Sequence, residues 1–75
     1  MSDKWDITRA NQLLSAALAE IDELGDKLSP ARTEALLDEF ERDVSGAFLR
    51  QDMSAVRAHC VTYTRRFRAL AEEKD

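Results

Sequence analysis

Residues 7–28 read ITRANQLLSAALAEIDELGDKL, and the fold of the whole chain turns on where the apolar side chains fall within them. Ile7, Ala10, Leu14, Ala17, Ile21, Leu24 and Leu28 recur at alternating steps of three and four, the seam of a helix that packs lengthwise on partners. Leu13 and Leu18 flank that seam on its two sides. A stripe of that width suits a helix with two neighbours, so the pattern favours a bundle over a two-stranded coil.

Working outward, Gly25 followed by Asp26 and Lys27 is the expected stop of this first helix, and Ser29-Pro30 supplies an N-cap with proline at the first position of the next. The second helix has its seam at Leu37, Phe40, Val44 and Ala47, with Leu36 and Phe48 beside it. Ser45-Gly46 interrupts it with two poor helix formers, the glycine costing about 1 kcal/mol relative to alanine; it marks a close approach by a neighbour or a bend. Asp52 is placed to cap a third helix, whose seam runs Met53, Val56, Cys60, Tyr63, Phe67 and Leu70 and which ends among Glu72, Glu73 and Lys74.

The chain thus reads as a single helical domain over 1–75, with helices at about 6–27, 30–50 and 53–72 joined by two short loops. Short loops force consecutive helices to run antiparallel, which makes the expected fold all-α, an up-down-up three-helix bundle. The alternative is a homodimeric bundle sharing its helices between two chains, since heptads do not say whether a partner belongs to the same chain. We expect a monomer.

Composition narrows the functional classes. Seventy-five residues with 44% apolar and 35% charged side chains, two glycines and one proline lie far from disorder. A chain this short buries only about 60% of its unfolded surface, leaving room for one core. Cys60 is the single cysteine, so no disulfide can form within the chain, and the expected compartment is the reducing cytoplasm. The acid-bearing start has no apolar run of a signal peptide, and no stretch approaches the roughly 20 apolar residues of a membrane span. A net charge of −4 argues against a dedicated nucleic-acid binder.

Residues able to carry chemistry also have plainer roles open to them. His59-Cys60 pairs a thiol with an imidazole, the usual zinc ligands and a known nucleophilic dyad. Adjacent helical positions point about 100° apart, and there is no second cysteine or histidine to complete a site. Cys60 falls in the seam, where a cysteine is a small buried hydrophobe. Glu34 with Asp38, and Glu39 with Asp43, share a helix face at a spacing of four, but off the seam, on faces expected to be solvated and so without pKa tuning. Neither a phosphate loop nor a catalytic motif occurs. We therefore expect no enzyme activity, no metal and no cofactor.

Arg57, Arg65, Arg66 and Arg68 form a cluster on the third helix with Tyr63 and Phe67 interleaved, the outline of a nucleic-acid face. On a helical wheel the arginines spread over the outer surface and the two aromatics fall in the seam, where they read as core. In an up-down-up bundle residues 65–68 stand level with Glu20, Asp22, Glu23 and Asp26, acids that would cancel much of the cluster's field.

The expected function is that of a non-catalytic interaction module, an adaptor, regulator or subunit whose partner is another protein, with a nucleic-acid-associated regulator using those arginines as the alternative. Trp5, Phe48, Leu49 and Met53 converge on one end of such a bundle and are the candidate partner-binding residues. Trp5, just ahead of a cap at Asp6, is either a lid over the core or the anchor of an exposed apolar patch.

Overall fold

The computed structural model describes residues 4–72, the side chain of Asp26 apart. Helix α1 spans Ile7–Leu24 and tightens into a 3-10 turn over Gly25–Lys27; α2 spans Pro30–Leu49 and α3 Met53–Glu72. Three expected starts coincide with these. Asp6 accepts from the Arg9 N–H at 3.2 Å and Asp52 from the Ala55 N–H at 3.0 Å, each satisfying an amide that the first turn leaves without a helical partner. At the start of α2 proline stands in the first turn as expected, but the Ser29 hydroxyl makes no capping bond. Its carbonyl accepts instead from both the N–H and the hydroxyl of Thr33, at 2.9 Å each.

The expected stop at Gly25 is where α1 ends: Gly25 is its C-cap, right-handed with φ −55°, and the chain winds on into the 3-10 turn. The expectation about the other glycine is corrected. Gly46 lies inside an unbroken α2, and a side chain there would meet only the Arg50 guanidinium, at 3.4 Å. No neighbouring helix makes a close approach at that point. The left-handed residue is Gln51, φ 55°, at the α2–α3 turn, where Gln51 N–H donates to Phe48 O and Asp52 N–H to Ala47 O at 3.0 Å each, closing the helix end. Helix α3 runs to Glu72, the last described residue; Glu73 and Lys74, the rest of the expected end, lie outside the described residues.

Long-range contacts fix the topology as up-down-up. Trp5 meets Phe48, so α1 starts where α2 ends; Phe40 stacks on Tyr63; and Glu20 pairs with Arg68, so α1 and α3 run parallel. The core draws on all three seams: Ala10, Ala17 and Ile21; Phe40, Val44 and Ala47; Met53, Val56, Cys60, Tyr63 and Phe67. Phe40, Phe67 and Val56 are its largest fully buried side chains.

The three helices are not equivalent. Helix α3 packs along both others, whereas α1 and α2 approach each other at few points. Residue sizes contribute to this: towards Cys60, Val61 and Thr64 of α3, α1 sets Ala16 and Ala17 as well as Leu13 and Glu20, whereas towards Leu37, Val44 and Phe48 of α2 it sets Leu14, Leu18 and Ile21. Small side chains let backbones close in; large ones hold them apart. An apolar crevice is left open between α1 and α2.

Candidate interaction surface

The crevice has two depressions along its length. One, about 500 Å³, is lined by Ile7, Leu14, Val44, Ser45, Phe48 and Leu49; the other, about 430 Å³ and nearer the α1–α2 connection, includes Leu18, Ile21, Asp22, Thr33 and Leu37. Among the described residues four large apolar side chains are exposed: Ile7 (56%), Leu18 (36%), Leu49 (87%) and Val61 (45%). The first three stand on this crevice, whereas Val61 faces the opposite side, beside Leu13 and Glu20.

The four candidate residues at the Trp5 end divide. Trp5 and Phe48 meet edge to face, ring centroids 5.3 Å apart and planes at 82°, both half-buried against the core. Leu49 stands next to them in water. Met53, by contrast, is 3% exposed and belongs to the core, so it contributes nothing to the outer surface. With Trp5 seated on Phe48, Trp5→Ala is expected to lower the unfolding free energy by about 1–3 kcal/mol, the cost of the lost burial. The emission of the parent should be blue-shifted, and acrylamide should quench it poorly. Unchanged melting of Trp5→Ala together with free quenching in the parent would contradict the seating.

The arginine cluster is partly engaged within the chain. Arg66 donates to Glu39 at 3.0 Å and lies over the Tyr63 ring, 5.2 Å from its centroid, while Arg68 pairs with Glu20. Of the four acids expected opposite the cluster, Glu20 thus meets an arginine; the side chain of Asp26 lies outside the description. The partner of Arg66 comes from α2, an assignment that the helical wheel alone had not offered. Both pairs are about half exposed, where such contacts are worth roughly 0–1 kcal/mol each.

The acid pair Glu39 and Asp43, expected to be merely solvated, has a partner. The buried Tyr63 hydroxyl donates to Asp43 Oδ2 at 2.5 Å and lies 3.1 Å from Glu39 Oε1. The hydrogen bond to Asp43, then burial, then Glu39 push the phenol far above its ordinary range. Cys60 also sits in the core, and burial raises its thiol, keeping it protonated at neutral pH.

No protein-family model matches the chain, and comparison with curated proteins and with solved structures likewise finds no match. Among the described residues no helix is long and apolar enough to cross a membrane.

Proposed function

We propose that the chain is a non-catalytic protein-interaction module, a small adaptor, regulator or subunit, and that the α1/α2 crevice is the surface it presents to another protein. The observation that carries this reading is that Ile7, Leu18 and Leu49, exposed and apolar, all line depressions between α1 and α2, Ile7 and Leu49 beside Leu14, Val44 and Phe48, and Leu18 beside Ile21 and Leu37. Exposed apolar side chains gathered on one side of a molecule mark interaction sites, whereas scattered single residues do not. The protonated, buried thiol of Cys60 offers no nucleophile, and a lone reduced cysteine suits a cytoplasmic protein. Carboxylates on Arg66 and Arg68 weaken the field that would draw phosphates, which favours a protein partner over nucleic acid.

The test compares three immobilised proteins in capture from an extract of the producing cells: the parent, the double variant Leu18→Glu/Leu49→Glu, and Arg65→Glu. All three should be equally helical, since the replaced side chains are exposed. The parent and Arg65→Glu should retain the same partner and the double variant should lose it. Retention by the double variant with loss in Arg65→Glu would move the site to α3. Parent binding to duplex DNA that weakens steeply with added salt would favour the nucleic-acid reading.

A further inference from the structure

We infer that the occupant of the α1/α2 crevice is a basic amphipathic helix of a partner protein; the inference rests on the interaction reading above and adds the partner's shape and charge. The shape follows from the two depressions, which lie one after the other between two antiparallel helices. An apolar stripe at helical spacing laid along them would complete a four-helix bundle.

The charge follows from the rim. Asp22 lines the crevice directly. On α2, Glu34 and Glu41 flank Leu37 at three residues before and four after, and Asp38 stands one step further out; all three are exposed. Arg42 lies on the outer margin beyond Asp38, Arg9 and Arg32 project from the far sides of their helices, and Arg50 folds over Gly46. The crevice therefore has an apolar floor between predominantly acidic walls, while the arginines of α3 are on the other side of the molecule. Flanking charges of this kind set the choice of partner in helix packing, and like charges across a seam repel.

A second copy of this chain suits the crevice less well. A symmetric dimer through it would bring the same acids of both copies together. In a head-to-tail contact the outer strip of α3 would offer only Val61 as a large exposed apolar side chain, with Arg66 and Arg68 already paired to carboxylates.

Two synthetic three-heptad peptides test this, both with one leucine stripe, one flanked by lysines and the other by glutamates. Binding of each labelled peptide is measured by fluorescence anisotropy at low and high salt. The lysine peptide should bind about tenfold or more tightly than the glutamate peptide at low salt, as several charge pairs of a few tenths of a kcal/mol each add up. The preference should shrink as salt rises. Glu34→Lys/Glu41→Lys should reverse it, and Leu18→Glu should weaken both peptides. Equal binding of the two peptides, still weakened by Leu18→Glu, would overturn the charge inference and leave the interaction reading standing. Binding of neither peptide, or binding indifferent to Leu18→Glu, would overturn both. Self-association of the chain that excludes the peptides would assign the crevice to a second copy and refute the basic helix.

Discussion

Phe40→Ala and Phe67→Ala are each expected to lower the unfolding free energy by about 3–5 kcal/mol, the cost of deleting a buried aromatic and leaving a cavity that neighbours only partly fill. Both rings are fully buried, Phe40 from α2 and Phe67 from α3, and Phe40 stacks on Tyr63 with centroids 4.9 Å apart. At roughly 0.05–0.15 kcal/mol per residue, a domain of this size has a total stability on the order of 4–11 kcal/mol. Either truncation removes from about a quarter of that to all of it, and at the lower end of the range the chain unfolds at room temperature. Urea titration followed by helical circular dichroism measures the effect. Midpoints equal to that of the parent would mean that the seams of α2 and α3 do not meet as described.

The second large effect concerns Tyr63, the one tyrosine of the chain, so that tyrosinate absorbance near 295 nm reports on it alone. Its hydroxyl donates into a carboxylate pair and is buried, and both raise its pKa well above that of the unfolded chain. A raised folded-state pKa contributes stability that is fully present below the unfolded value of about 10 and is lost as pH rises from there towards the folded value. Tyrosinate should accordingly appear together with loss of helix in alkali, not ahead of it. Tyr63→Phe should cost about 1.5–3 kcal/mol at neutral pH, the range for a hydrogen bond to a charged group, and should flatten the fall in stability above pH 10. Tyrosinate forming near pH 10 with the helices intact would show that the phenol is free of Asp43 and Glu39.

Both effects bear on how much of the molecule is legible in its sequence. The seams are, because a three-four repeat such as Val56, Cys60, Tyr63 and Phe67 aligns side chains on one face whatever the neighbour turns out to be. The buried seam residues of all three helices come from those repeats. What a wheel drawn for one helix does not contain is the reach of long side chains from the next. Glu39 and Asp43 fall off the α2 seam and read as wet, yet Tyr63 crosses from α3 to meet them, and Arg66 follows to the same Glu39. A buried tyrosine needs a partner for its hydroxyl, and that rule would have prompted a search for an acid.

The candidate surface was legible only in part, for a similar reason. Trp5, Phe48 and Leu49 are found together because an antiparallel pair must bring the start of one helix to the end of the next. Met53 stands at the same end of the bundle, but its seam position takes it inward. The crevice itself depends on unequal spacing between helices, set by which side chains oppose one another: Ala16 and Ala17 with Leu13 towards α3, and Leu14, Leu18 and Ile21 towards α2. Periodicity gives the stripe and not its division between two neighbours. Leu18 is the residue that signals it, an apolar side chain on the shoulder of the seam that remains exposed once the core has closed.

One chain is expected to close its own core and leave the α1/α2 crevice open to a partner. Sedimentation equilibrium together with thermal melting over about a hundredfold range of protein concentration tests this most directly, because a core shared between subunits gains stability by mass action and one within a single chain does not. The expected result is the mass of a single chain throughout and a melting temperature that does not move with concentration. A stable dimer whose melting temperature climbs with concentration would place the seams, and the crevice with them, in a subunit interface.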